Sequence, residues 1–306
     1  MDKKQAIELA SDHLKKLPGH VFDLLTISKP VSPAAALNLA KVVSKLSPLV
    51  GNLIEFNTVE FLNDLEEFRP HGAWVRQDPG FPDAVFVGNI TPRPGFEIKA
   101  WFPLATEITA RFRDSQSHFR QDQTYVAMLA WLPEHLIYGK PYILDVCVVS
   151  ALSVAAARDN HYHNPPDYLV LEPRDTRART RNLQQTNTNG YKWQGTAKQL
   201  EEACKIVATW GRKGRTYSPA KKYQERLLRE LFSRFPYRLD TNFAKMDRIV
   251  HSEVESFKSR VMKRVVNRIT VNEWSRLLSS GRDRDRETRL KELLQIRDQD
   301  AGNLLR

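Results

Sequence analysis

Residues 80–99 read GFPDAVFVGNITPRPGFEIK, and the alternation at the end of this stretch decides the kind of fold. Apolar residues alternate there with Glu97 and Lys99, and a period of two is typical of a strand whose two faces differ. Asp83 opens a second apolar run, AVFV, which can form the neighbouring strand. The sequence therefore predicts a sheet in which Glu97 and Lys99 project from the same face.

These three polar residues form a set that suits phosphodiester hydrolysis. Two carboxylates on adjacent strands, Asp83 and Glu97, can share a hard divalent cation through oxygen ligands. A lysine beside them can orient a water and offset charge on a phosphate. The alternative interpretation is a surface Glu–Lys pair on an amphipathic strand, which would contribute little to stability.

The spacing of the set resembles a known nuclease motif. Pro82-Asp83, thirteen intervening residues and then Glu97-Ile98-Lys99 resemble the PD-(D/E)xK motif, typical of type II restriction endonucleases. The resemblance covers residues of about 50–115. It implies a restriction-endonuclease-like α/β (α+β) fold, with a central mixed β-sheet flanked by helices, that acts on double-stranded DNA as a homodimer. It also implies that Asp83 and Glu97 bind Mg²⁺ and that Lys99 positions the attacking water.

A helix before the two strands offers a further acid. In GNLIEFNTVEF, Glu55 shares an apolar stripe with Gly51, Val59 and Leu62, whereas Glu60 lies among polar residues. Many members of the resembled family place a glutamate from such a helix at the metal. We therefore predict Glu55 as an auxiliary catalytic and metal-binding acid. The string GNLIE is also similar to the corresponding helix of the mismatch-repair strand-nicking endonuclease.

The order of elements predicts a mixed α/β core followed by helices. A helical pattern covers residues 34–68, interrupted at Pro48, and a Gly/Pro/Arg loop follows. Strand-like runs then cover residues 84–87, 96–102, 107–112, 125–132 and 143–150. Periodicity stops between residues 158 and 197, and helical patterns resume at 197–210, 221–235, 247–269 and 286–296. We predict a catalytic domain over residues 1–204 and a basic helical region over 205–306 for DNA-backbone contact, dimerisation or both.

Charge is concentrated in the last third of the chain. The formal net charge is +11, and residues 205–306 carry 25 Lys+Arg against 13 Asp+Glu. Residues 1–204 carry 22 Lys+Arg and 23 Asp+Glu, so they are nearly neutral. A basic excess confined to one region is typical of a surface that binds a polyanion such as nucleic acid.

Residues that can contact DNA cluster in the segment without periodicity. Amide side chains can bind adenine, arginine can bind guanine, and basic side chains can bind phosphate. The Asn-Gly pair at 189–190 also favours a tight turn, so part of this segment can be a hairpin end. The predicted DNA-contacting residues are Arg76, Gln77, Arg113, Gln116, Arg179, Arg181, Gln185, Asn187, Asn189, Tyr191, Lys192 and Gln194.

The remaining features favour a cytoplasmic protein. The start, MDKKQAIELASDHLKK, lacks the apolar core of a signal peptide, and no segment is apolar enough to span a bilayer. The two cysteines lie in apolar contexts, which favours buried thiols over a disulfide. Two rival functions stay open: a DNA-repair nicking enzyme of the same fold, and a non-enzymatic DNA-binding regulator.

Overall fold

The protein has a mixed α/β fold built around a five-stranded sheet. This computed structural model describes residues 1–77, 80–105, 112, 116–161, 168–170, 190–193, 196–212, 220–239, 246, 249–279 and 284–296. Among these residues no helix is both long and apolar enough to cross a membrane.

The elements follow one another in an order that places one long helix before the sheet. The first half contains α1 (Lys3–Leu14), α2 (Pro33–Asn63), β1 (Gly72–Arg76), β2 (Ala84–Gly88), β3 (Gly95–Trp101), a 3₁₀ turn (Gln116–His118), β4 (Thr124–Pro133), β5 (Pro141–Ser150) and α3 (Ala151–His161). The second half contains β6 (Tyr168–Val170), β7 (Gly190–Trp193), α4 (Ala197–Ala208), α5 (Lys221–Arg226) continued by a π-helix (Leu227–Phe232), β8 (Tyr237–Leu239), α6 (Ser252–Lys263), β9 (Val265–Val266), β10 (Ile269–Thr270), α7 (Val271–Ser279) and α8 (Arg284–Leu294).

The chain divides into two compact units. The first comprises Met1–Thr109, Tyr125–Val148 and Ser252–Arg306, and the second comprises Ala110–Thr124 and Val149–His251. These units reflect contact density, whereas the boundary predicted at residue 204 follows charge. That functional division stays a prediction.

The main sheet has the order β1-β2-β3-β4-β5, and its first three strands are antiparallel neighbours. One face of β1–β3 buries an aromatic cluster of Phe68, Trp74, Phe86 and Phe96, whose ring centroids lie 5.2–5.6 Å apart where they touch. Aromatic rings supply much of the apolar area in a core, so this cluster fixes which faces of β2 and β3 point inward.

Helix α2 packs against β1 and β3 and is continuous through Pro48. Ser32 caps its start, because its hydroxyl accepts a hydrogen bond from the Ala35 amide at 3.1 Å. Pro48 has no N–H to donate to the Ser44 carbonyl one turn earlier. The Ser47 hydroxyl donates to that carbonyl instead, at 2.8 Å. The predicted interruption at Pro48 is therefore wrong.

A second face of α2 is apolar and exposed. Val42, Leu49 and Phe56 recur every seven residues and are 48%, 58% and 46% exposed. Leu46 and Leu53 are half-buried and complete alternating steps of three and four residues between them. This spacing is that of a two-stranded coiled-coil seam.

Several other predicted boundaries need correction. Strand β1 lies within the stretch predicted as a loop, and its Trp74 is part of the aromatic cluster. The helix predicted over residues 247–269 is shorter, because α6 ends at Lys263 and the hairpin β9–β10 follows. The strand predicted over residues 107–112 lies outside the described residues except for Phe112.

Candidate active site

Asp83, Glu97 and Lys99 converge where β2 pairs with β3. The Lys99 ammonium lies 3.3 Å from Asp83 Oδ2 and also forms an ion pair with Glu97 Oε1. The side chains are 23%, 10% and 14% exposed for Asp83, Glu97 and Lys99, so the cluster is largely shielded from water. The acid and the lysine on one strand face thus lie beside a second acid from the neighbouring strand.

The strand register brings these groups together. Ala84 pairs with Phe96, which places Asp83 beside Glu97 at the end of the ladder. The Ile98 amide donates to Asp83 Oδ2 at 2.7 Å. The Asp83 carboxylate thereby takes the place of a backbone acceptor and is tied to β3.

Gln77 holds the other side of Asp83. Its backbone amide donates to the Asp83 carbonyl at 2.7 Å, and its side-chain amide donates to the Pro82 carbonyl at 3.1 Å. These two bonds fix the backbone on both sides of the Pro82–Asp83 peptide. Gln77 therefore has a positioning role in the structure, while its predicted contact with DNA stays a prediction.

The electrostatics of the cluster favour a protonated lysine. Burial alone lowers the pKa of Lys99, but the negative charges of Glu97, Asp83 and Glu55, with the hydrogen bond that the ammonium donates to Glu97, raise it above its ordinary value. An ammonium held this firmly is a poor general base at neutral pH. Its chemical capacity is to place and stabilise negative charge.

Glu55 on α2 acts on this cluster through its charge. It is half-buried and contributes to the electrostatics of Lys99, whereas Glu60 on the same helix is exposed. A Cβ added to Gly51, one turn before Glu55, would lie 3.4 Å from the Ala100 Cβ, so the helix lies directly against β3 here. The helix thus brings Glu55 to the part of β3 that carries Lys99.

Asn63 attaches the end of α2 to the sheet. Its side-chain oxygen accepts from the Trp74 amide at 2.8 Å, and its side-chain nitrogen donates to the Trp74 carbonyl at 2.9 Å. Trp74 lies on β1, an edge strand, so Asn63 satisfies backbone groups that have no neighbouring strand. Sequence reasoning missed this contact, and no local pattern marks it because the partners are eleven residues apart.

The donor set fits a small, hard divalent cation. Asp83 and Glu97 already share one cation, the Lys99 ammonium, so oxygens of both carboxylates face a common point. In the part of the chain that is described, no group of three or more His, Cys, Asp or Glu side chains is placed to hold a metal. Mg²⁺ commonly uses only one or two carboxylates and keeps several waters, so a two-carboxylate site is sufficient for it.

Five of the predicted DNA-contacting residues lie within the described part of the chain, at three separate places. Arg76 lies half-buried at the end of β1, next to Gln77, and Gln116 opens the 3₁₀ turn in the second unit. Tyr191 and Lys192 lie on β7, which pairs with β6 and β8. The remaining predicted residues, Arg113, Arg179, Arg181, Gln185, Asn187, Asn189 and Gln194, lie outside the described residues.

Comparisons with models of known protein families, with curated proteins and with solved structures find no match to this chain.

Proposed function

We propose that this chain is a Mg²⁺-dependent endonuclease that hydrolyses phosphodiester bonds in double-stranded DNA, with a restriction-endonuclease-like fold. In its most specific form the proposal is a cytoplasmic type II restriction endonuclease of the PD-(D/E)xK superfamily that cleaves at a short recognition sequence. The observation that supports it is the convergence of Asp83, Glu97 and Lys99 at one end of the β2–β3 ladder.

Each residue of the cluster has a role that follows from its charge and position. Asp83 and Glu97 hold Mg²⁺, and Glu55 contributes negative charge from α2. When bound, the ion lowers the pKa of its water and stabilises charge on the phosphate. The protonated Lys99 orients the attacking water and offsets the negative charge that develops on the phosphate oxygens. Ile98 and Gln77 keep the Asp83 carboxylate in place.

The charge distribution supports a nucleic-acid substrate. The excess of Lys+Arg after residue 205 supplies an attraction for DNA phosphates that does not depend on sequence. Charged groups of this kind raise the local concentration of a polyanion and the rate at which it is encountered. The acidic cluster alone would repel DNA, so a basic surface elsewhere on the chain is a physical requirement of the proposal.

The proposed enzyme acts as a homodimer, with one active site for each DNA strand. The exposed seam of α2, formed by Val42, Leu46, Leu49, Leu53 and Phe56, is the surface we assign to a second copy. Two identical seams can pair about a two-fold axis, because each copy then presents the same surface to the other. From Val42 to Phe56 the seam is roughly 21 Å long. Its five side chains are far fewer than the roughly 20–30 residues a side of a standard interface, which predicts a weak dimer.

The experiment that tests the activity uses phage and supercoiled plasmid DNA with and without Mg²⁺. Discrete fragments that appear only with Mg²⁺ support restriction, and nicked circles without linear product favour the repair enzyme. DNA that is bound but left intact at every divalent metal tried would favour the regulator and overturn the nuclease.

Two substitutions assign the activity to the site. Lys99→Ala should abolish cleavage and largely spare DNA binding. Lys99→Arg keeps a positive charge beside the two carboxylates. Lys140→Ala is the matched control, because Lys140 also pairs with an aspartate, Asp23 at 2.8 Å, outside the cluster. Thermal melts of all three variants separate lost chemistry from lost fold. Undiminished cleavage by Lys99→Ala would show that Lys99 has no role in the mechanism.

A further inference from the structure

A strained turn lies at the tip of the β9–β10 hairpin in the first unit. The turn residues Asn267 and Arg268 both have positive φ, 45° and 76°. A two-residue hairpin turn of this kind favours Asn followed by Gly, because side chains other than Asn and Asp rarely adopt the left-handed region. Arg268 occupies the position where glycine is the least strained residue. Arg268 is also exposed, which places its guanidinium at the surface of the hairpin tip.

The chain around this turn is basic. Residues 258–270 contain five Lys+Arg and no Asp or Glu. Two of the five cations are used within the fold, since Lys258 pairs with Glu255 at 2.5 Å and Arg260 pairs with Asp145 at 2.7 Å. Within the described residues no ion pair is formed by the other three, which are all exposed: Lys263, Arg264 and Arg268.

The segment that carries these cations, from the end of α6 through the β9–β10 hairpin, is anchored to its surroundings. The Trp274 indole of α7 donates to the Val266 carbonyl at 2.7 Å, and the Val271 amide donates to the Arg264 carbonyl at 2.9 Å. The Asn267 side chain lies 3.4 Å from the His135 carbonyl. Trp274 is fully buried, so the base of the hairpin is held by the core of the unit. Because the backbone next to the three cations is held in place, contact with a ligand orders little additional backbone.

We propose that Lys263, Arg264 and Arg268 form a contact for the phosphate backbone of double-stranded DNA. The identification of the polyanion as DNA rests on the proposed function. The three cations are exposed in and near a two-residue turn, and exposed cations suit contact with phosphate oxygens. The contact therefore strengthens binding equally for all sequences and adds to the salt dependence of binding.

The first test separates the charge of Arg268 from its backbone strain. Fluorescence anisotropy with a labelled 24-base-pair duplex in EDTA measures binding without cleavage, over a series of salt concentrations. We expect Arg268→Asn, which suits a positive φ but has no charge, to reduce the slope of log K against log salt by about 0.9. Arg268→Gly should do the same and raise the Tm by about 2 °C, because the strain is relieved. Arg268→Lys, which keeps the charge, should show the same slope as the unmodified protein.

The second test removes the whole patch and controls for net charge. The triple variant Lys263→Gln, Arg264→Gln and Arg268→Asn should lower the slope by about 2.7. Its matched control removes the same formal charge from exposed lysines in and just after α1 and should leave the slope unchanged: Lys4→Gln, Lys15→Gln and Lys16→Gln.

The outcomes separate this contact from the proposed function. If the unmodified protein binds DNA and the triple variant has the same slope, the contact is overturned and the nuclease proposal stands. If the control triple weakens binding equally, the effect is one of net charge and the contact is overturned as well. If the unmodified protein binds phosphatidylserine vesicles but no DNA at low salt, both proposals fail.

Discussion

The protonation of Lys99 follows from three carboxylates around one ammonium. Burial by itself would favour a neutral lysine, yet Glu97, Asp83 and Glu55 outweigh it. This balance explains why a lysine is tolerated inside a largely shielded cluster. Each of the three acids therefore stabilises the charged form of Lys99 even before any substrate is present.

Glu55 and Glu60 form a matched pair on one helix. We expect Glu55→Gln to lower the rate of Mg²⁺-dependent cleavage by about 10- to 100-fold, as loss of an outer carboxylate does at other metal sites. Glu60→Gln should leave the rate unchanged, because Glu60 is exposed. Single-turnover cleavage at saturating DNA is the measurement. Equal rates for the two variants would contradict the role assigned to Glu55.

The two cysteines should differ in reactivity. Burial, followed by the charge of Glu253, raises the pKa of the Cys147 thiol to about 12. Because the pKa is raised, Cys147 stays protonated at pH 9, where an ordinary thiol is half ionised, and only the thiolate reacts. Cys204 is half-buried. We expect a thiol reagent at pH 8 to modify Cys204 and to reach Cys147 only after denaturation.

Counting thiols with Cys204→Ser checks this directly. The variant should show no reactive thiol when folded and one in denaturant. A fast-reacting thiol in the folded variant would mean that Cys147 is accessible to solvent.

At the scale of elements, α2 stays continuous because one hydroxyl replaces one amide. We expect Ser47→Ala to destabilise the protein by about 1 kcal/mol, since the Ser44 carbonyl loses its donor. Pro48→Ala should stabilise it by about 1–3 kcal/mol, because the backbone N–H returns. In the Pro48→Ala background the cost of Ser47→Ala should fall by about 0.5 kcal/mol or more. Urea unfolding of the four proteins measures this coupling, and strict additivity would contradict it.

The predicted and observed elements agree where the sequence period is regular, and they differ where a single side chain or a distant contact decides the structure. Period-two patterns predicted β2 and β3 within one or two residues, because each strand has one aromatic, buried face. A proline normally ends a helix, and nothing local to Pro48 announces that Ser47 will compensate. Strand β1 was missed because GAWVR is short, and its Trp74 is stabilised by distant partners in the aromatic cluster. The β9–β10 hairpin was missed because its turn lacks the expected glycine.

The candidate site was more accessible to sequence reasoning than the contacts that hold it. Asp83, Glu97 and Lys99 are linked by strand periodicity and by one register, and the structure brings them together. The bonds from Gln77 and Ile98 to the Asp83 segment depend on where the chain turns between strands, which periodicity does not specify. Long-range side-chain contacts such as Asn63 with Trp74 depend on tertiary packing alone.

At the scale of the whole molecule, the seam on α2 is the surface that we propose for dimerisation. Leu49 is 58% exposed at its centre, and a monomer leaves this apolar side chain in water. Pairing with a second copy would remove this side chain from water, but the short seam limits the free energy that burial contributes to association. We therefore expect a dimer with a dissociation constant in the micromolar range.

Sedimentation velocity over a range of protein concentrations measures this equilibrium. Leu49→Glu places two carboxylates near the two-fold axis and should raise the dissociation constant at least about tenfold, because an unpaired charge is costly to bury. Val250→Glu is the matched control, because Val250 is 61% exposed in the second unit and should have no effect. A dimer that persists unchanged in Leu49→Glu would move the interface away from α2. A monomer at every concentration would mean that the seam stays in water and that each chain meets DNA alone.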